Sequence, residues 1–201
     1  MIPWIGLTGG IGAGKSTALQ ALERLGAVTL STDKVVHELY ESAEVRDAVA
    51  ERFGPDVIAG GRVDRPAVAR AAFASEEGRG WLERLLWPRV GERVAAFRLE
   101  ADGMSPPPRA AVVEIPLLFE SGSDHGFDAT IAVIADEAVR HQRAAARGHE
   151  ALSERAARQL TQQEKSQRAT YTVVNDGTQR ELQDRLSAIL DMLRSAPSSA
   201  P

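Results

Sequence analysis

Trp4-Ile5-Gly6-Leu7-Thr8, running straight into Gly9-Gly10-Ile11-Gly12-Ala13-Gly14-Lys15-Ser16-Thr17, is the stretch that decides how this chain is read. The first five residues form a short apolar run of the kind buried in a parallel sheet. The glycines end it. Beyond them Ala18, Ala21, Leu22 and Leu25 recur at helical spacing, and Gly26 supplies a stop. Gly9 to Ser16 satisfies G-x-x-x-x-G-K-[ST] between that strand and that helix, the setting in which the pattern binds phosphate. Glycines let the backbone approach an anion, and the loop N–H groups converge on it with help from the positive end of the helix. Gly9, Gly10, Ile11, Gly12, Ala13, Gly14, Lys15, Ser16 and Thr17 are therefore the expected nucleotide-binding residues. Lys15 would reach the β- and γ-phosphates of ATP, and the Ser16 hydroxyl would ligate Mg²⁺.

Working outward, Ala27 to Ser31 reads as a second strand, so strand, helix and strand make a βαβ unit and imply a parallel sheet. Residues 34 to about 100 read as mainly helical, in segments 34–53, 66–75 and 79–100 divided by Gly54-Pro55, Gly60-Gly61 and Glu77-Gly78. Trp81, Leu82, Leu85 and Leu86 read as the core of that insertion. The run Ser105-Pro106-Pro107-Pro108 cannot continue a helix. Ala110 to Ile115, Ala129 to Ile134 and Tyr171 to Val174 complete five strands. A helical stretch spans Asp136 to Gln167 with an interruption near Gly148-His149, and a last amphipathic helix ends near Arg194.

Composition narrows the class. The 201 residues carry 43% hydrophobic and 26% charged side chains, in the range of ordinary globular proteins. A net charge of −4 gives no footprint for nucleic acid or an acidic membrane. No apolar run approaches the ~20 residues of a membrane span. With no cysteine, thiolate metal sites and cysteine nucleophiles are excluded. The four histidines lack metal-ligand spacing. The absence of disulfides, and a first strand that begins too early for a signal peptide, lead to an expected cytoplasmic location. The protein is expected to act as a monomer or weak homo-oligomer. Lysine occurs only at positions 15, 34 and 165 among 24 basic residues, which sets Lys15 apart from background.

Phosphoryl transfer from the loop would also need a carboxylate near the acceptor hydroxyl and cations over the phosphates. Asp33 lies just past the second strand, at the edge where open α/β sheets bind ligands, although a helix N-cap for the segment from Lys34 fits the spacing equally well. Glu114 and Glu120 flank the end of the Ala110–Ile115 strand, the first as a candidate to orient magnesium-bound water, the second to contact acceptor or lid; either is also an ordinary strand-end carboxylate. Arg140, Arg143 and Arg147 fall on one face of a helix, as a lid that folds over phosphates requires and as a solvated face would also show. Asn175, in the Asn175-Asp176-Gly177 turn, is a candidate adenine contact or simply good turn chemistry.

Several segments together resemble the dephospho-CoA kinase family. The Thr8–Thr17 loop is similar to that family's opening, and Asp33 closes the second strand as the family's aspartate does. Phe53-Gly54, Asp64-Arg65 and Phe73, then Trp81-Leu82-Glu83 to Pro88, resemble its middle signatures. Ile115-Pro116-Leu117-Leu118-Phe119-Glu120 matches its third-strand motif, and Asn175-Asp176-Gly177 its asparagine–glycine turn. The resemblance implies an α/β, P-loop NTPase-type three-layer fold with a parallel five-stranded sheet, a helical substrate-binding insertion and a helical lid. The core would comprise residues 1–33, 110–135 and 168–201, the coenzyme-binding insertion 34–109 and the lid 136–167. The implied reaction moves the γ-phosphoryl of ATP to the ribose 3′-hydroxyl of dephospho-CoA. On that footing Asp33, Lys15 and Arg143 are the expected catalytic residues, and Arg147 and Asn175 join the nucleotide-binding set. The chain departs from the pattern at Trp87 for histidine, Glu114 for aspartate, Arg140 for glutamine and Thr170 for an acid.

Two other readings share the loop. A nucleoside monophosphate, shikimate or gluconate kinase has the same core, against which stand the Ile115–Glu120 motif and Asp33 at its spacing. A GTPase or ATPase switch would be of a different class, but no N-K-x-D guanine-reading sequence is present.

Overall fold

The computed structural model describes residues 2–145 and 159–195. The chain divides into two compact units, one formed by Met1–Leu30 with Arg98–Pro201, the other by Ser31–Phe97.

The first unit is built on a five-stranded sheet. Its strands are β1 (Trp4–Gly9), β2 (Val28–Ser31), β5 (Ala111–Glu114), β6 (Ala129–Ile134) and β7 (Tyr171–Val174), in the order β2-β5-β1-β6-β7. β1 pairs in parallel with β5 on one side and β6 on the other, and β6 pairs in parallel with β7. Every residue of β1 and β5 is buried, which explains the unbroken apolar runs: layers cover both faces, so no alternation survives. The chain crosses from β5 over β1 to β6, so strand order reverses at β1 and opens a crevice at its carboxyl end. The phosphate loop sits at that end.

Helix α1 (Lys15–Arg24) turns Ala18, Leu19, Ala21 and Leu22 inward. It stops at Gly26, whose φ of 89° lets Gly26 N–H donate to Glu23 O and Ala27 N–H to Leu22 O, the paired closure of a left-handed helix end. After β6 come α6 (Glu137–Ala145), α7 (Gln162–Arg168) and, beyond β7, α8 (Gln179–Ser195). Ile5, Leu7, Leu22, Val112, Ile131, Val133 and Leu186 belong to one continuous core.

The second unit is helical, with α2 (Thr32–Leu39), α3 (Ala43–Phe53), α4 (Arg65–Phe73) and most of α5 (Glu76–Asp102). Val45, Val49, Val68, Leu82 and Leu86 form its core, with Trp81 and Leu85 packed against it as the sequence suggested. Three features differ from expectation. The segment 34–53 is not one helix, because Ser42 interrupts it: its hydroxyl donates to Leu39 O and accepts from Val45 N–H, ending α2 and capping α3. The Gly60-Gly61 turn joins a small hairpin of β3 (Ile58–Ala59) and β4 (Arg62–Val63), with Ile58 opposite Val63. Two-residue strands are too short to show a period. Helix α5 runs through Pro88 and exceeds the expected 79–100 at both ends.

Candidate active site

Residues 10–14 bridge β1 and α1. Lys15 Nζ donates to Gly9 O at 3.0 Å and Gly10 O at 3.4 Å, which places the ammonium at the mouth of the loop. Gly14 precedes α1 with φ 95°, a conformation that strains any side chain, and a Cβ there would overlap Asn175 Nδ2. Ser16 is exposed in the first turn of α1, and that turn carries no acidic residue. The helix end is therefore left positive for an anion.

Two side chains from the segments that follow β6 and β7 bond to this loop, and a third braces one of them. Asn175 is buried, and its Nδ2 donates to Ala13 O at 2.8 Å. Arg143 Nη1 donates to Asn175 O at 3.0 Å, and Arg140 Nε donates to Ile11 O at 2.9 Å. The Arg140 guanidinium lies beside Gly10, and the Arg140 backbone lies so close to Gly12 that a Cβ there would collide with it. The start of α6 is itself tied to the turn after β7, because Asp136 N–H donates to Asp176 Oδ1 at 2.6 Å. The arginines expected in a lid thus stand at the phosphate loop. Arg140 is as closely engaged as Arg143, although the family pattern put it behind; Arg147 lies outside the described residues.

A family model described as dephospho-CoA kinase matches residues 3–181. The dephospho-CoA kinase of Deinococcus radiodurans is 38% identical over 192 residues, covering 94% of this chain and 91% of that protein. That of Moorella thermoacetica is 40% identical over 179 residues, covering 86% and 84%. This chain belongs to the dephospho-CoA kinase family. A crystal structure from Thermus thermophilus superposes with a TM-score of 0.80 at 33% identity, covering 96% of this chain and 99% of that one. Shikimate kinase from Acinetobacter baumannii, at 16% identity and a TM-score of 0.52, shares the fold.

The remaining positions singled out by the family pattern take distinct places. Asp33 is exposed in the first turn of α2, and the cap position of that helix falls to Ser31. Glu114 is buried opposite Leu7. Thr170, where the family often has an acid, exchanges hydrogen bonds with Thr130: each backbone N–H donates to the other's hydroxyl at 3.0 Å. Trp87, where the family usually has histidine, is 57% exposed and lines a shallow depression with Gly80, Glu83, Arg84 and Pro88. Glu120 turns out to face a lysine. Its carboxylate lies 2.9 Å from Lys165 Nζ, and Lys165 is completely buried.

Lys165 escaped the sequence reading. The only signal was its being lysine at all, in a chain that otherwise uses arginine. Burial pushes its pKa down from the ordinary lysine value, and Glu120 opposes that shift by hydrogen bond and charge. Two surface glutamates are shifted by helix capping. Glu164 is lowered chiefly by the Thr161 hydroxyl and then its N–H, and Glu181 by the Thr178 N–H and then its hydroxyl.

Proposed function

We infer that this chain transfers the γ-phosphoryl group of ATP to the ribose 3′-hydroxyl of dephospho-CoA, giving coenzyme A and ADP. The observation that carries this is the family match over residues 3–181, joined to a phosphate loop whose lysine and bracing arginines are in place. The relatives named as dephospho-CoA kinases favour this acceptor over shikimate, gluconate or a nucleoside monophosphate.

In this reading the loop N–H groups and the start of α1 hold the phosphates, while Lys15 follows the β- and γ-oxygens as charge shifts toward the leaving group. Arg143, and Arg147 four positions further in sequence, belong to a lid over residues 136–167 that limits hydrolysis by excluding water. Asp33 accepts the proton of the attacking hydroxyl. Asn175 serves the nucleotide by holding the loop. The helical insertion, residues 34–109, binds the coenzyme. Mg²⁺ fits the donor present: the exposed Ser16 hydroxyl stands in the first turn of α1, beside the loop, and the remaining ligands would come from phosphate and water. Bound there, the ion would neutralise charge on the transferring phosphoryl group.

No helix among the described residues is long and apolar enough to cross a membrane. We place the enzyme in the cytoplasm, acting on a small molecule as a monomer or weak homo-oligomer without nucleic acid or membrane partners. The deciding assay offers ATP with dephospho-CoA, AMP, CMP, shikimate or gluconate and follows ADP release and acceptor phosphorylation. Turnover with dephospho-CoA is expected; binding of ATP without turnover of that acceptor would overturn the assignment.

A further inference from the structure

Lys165 is the largest fully buried side chain among the described residues, and nothing in the phosphate chemistry uses it. A buried ammonium is stable only when its donors find acceptors. Here all three do: Nζ donates to Pro116 O at 2.8 Å, to Glu120 Oε2 at 3.2 Å and to Thr8 Oγ1 at 3.3 Å. Thr8 is the residue before the phosphate loop, and its hydroxyl donates to the same Pro116 O at 3.2 Å. The other Glu120 oxygen accepts Leu160 N–H at 2.8 Å. The ammonium therefore joins the root of the phosphate loop, the segment after β5 and the start of α7.

Helix α7 carries a second tie three residues earlier. Gln162 Oε1 accepts from Ala135 N–H at 2.9 Å, and Gln162 Nε2 donates to Ala135 O at 2.8 Å. Ala135 lies where the chain leaves β6 for the arginine-bearing helix α6, and Leu160 lies where it has returned. One short helix thus grips the exit and the return of the segment that brings Arg140 and Arg143 to the loop. A capping box at Thr161 and Glu164 fixes where that helix starts.

We propose that Lys165 is a positioning residue: with Glu120 and Gln162 it pins both ends of the arginine-bearing segment to the root of the phosphate loop, and so sets the register in which Arg140 and Arg143 cover the phosphates. The inference rests on the lid reading given above. It separates Lys165 from a structural ion pair, because a structural pair can be replaced by neutral groups at no cost to function once the protein is folded.

The test pairs Lys165→Met with Glu120→Gln, so that no buried charge is left alone. Melting temperature, KM for ATP and the ratio of ADP released to acceptor phosphorylated are measured well below the melting point. A partly unfolded sample lowers all turnover alike and leaves the ratio unmoved. The expected result is a folded variant in which the ratio rises roughly three- to tenfold, because a lid out of register admits water, and KM for ATP rises with it. A folded variant with wild-type ratio and KM overturns the proposal. Should the double variant not fold, Gln162→Leu cuts the second tie without touching the charged pair and is judged by the same two readouts. Arg143→Ala serves as the control on the lid itself. If it uncouples turnover and the pin variants do not, only the proposal falls. If neither does, the lid reading falls with it.

Discussion

Asn175 offers the sharpest test of how the nucleotide is held. Its Nδ2 donates to Ala13 O at 2.8 Å, and Ala13 is wholly buried, so Asn175→Ala leaves that carbonyl without its donor. In the free protein the Ala13–Gly14 peptide can relax toward water. With phosphate bound the loop is held in its original shape, and the carbonyl must stay unpaired. The difference between the two states is the cost of an unsatisfied buried acceptor, about 1–3 kcal/mol. At about 1.4 kcal/mol per decade this is a loss of roughly 5- to 150-fold in ATP affinity. Asn175→Asp should lose more, because the carboxylate has no donor and adds negative charge beside the phosphates. Calorimetric titration with ATP and with tripolyphosphate separates the two roles open to this residue. A loop brace weakens both ligands by the same factor. If the Ala variant binds tripolyphosphate normally and loses only ATP, Asn175 reads the base and the brace argument fails. A cycle with Gly14→Ala adds a check: its collision with Asn175 Nδ2 vanishes in the Asn175→Ala background, so the double variant should lose less than the two single losses added together.

Three further outcomes follow from named groups. Asp33→Asn should keep ATP affinity while kcat falls about 10²- to 10⁴-fold, the usual range for a lost general base; near-normal turnover removes Asp33 from that role. Glu164 and Glu181 have folded-state pKa values below the ordinary glutamate value, so their contribution to stability is complete above that value and is lost as pH falls through the folded-state ones. Thr161→Ala and Thr178→Ala should therefore destabilise at neutral pH, and the gap from wild type in denaturant melts should close on acidification; a gap that is constant with pH contradicts the capping account. Lys165 is also shifted down, chiefly by burial: between its depressed folded-state pKa and the unfolded value of about 10.4, the unfolded chain holds the extra proton. Stability from this group must rise with pH across that window, and Lys165→Met should flatten the rise in denaturation midpoints measured from neutral pH upward.

What the sequence made legible was whatever depends on neighbours in the chain. The runs at 129–134 and 171–174 coincide with β6 and β7: β6 is buried almost throughout and reads as a near-continuous apolar run, whereas β7 lies at the sheet edge, buries only Val173 fully and is marked by its β-branched and aromatic residues. The loop and its helix follow from local glycine chemistry, and Gly26 ends α1 through a closure that spans only six residues. The β3–β4 hairpin was hidden because two residues hold no period. The Ser42 break was hidden because one hydroxyl can end one helix and start the next without a proline or glycine to mark it.

The site itself was legible by residue type and much less by partner. The Asn175 turn was visible, but its amide meets a carbonyl 162 positions earlier in the chain, and no spacing rule reaches that far. Lys165 and Thr8 are separated by 157 positions. A different kind of regularity does point to them. Lysine supplies only three of 24 basic residues, and two of the three donate to more than one oxygen from a single ammonium: Lys15 to the carbonyls of Gly9 and Gly10, Lys165 to the Pro116 carbonyl, the Glu120 carboxylate and the Thr8 hydroxyl. A guanidinium is a planar fork that suits paired oxygens, whereas an ammonium is a compact point with three donors that can be buried whole. In a chain that prefers arginine elsewhere, the retained lysines mark places where a fork will not fit. On that reasoning Lys165→Arg is not a conservative change. The larger, planar head would have to displace Pro116 or Thr8, and the displacement would be passed to the first residue of the phosphate loop.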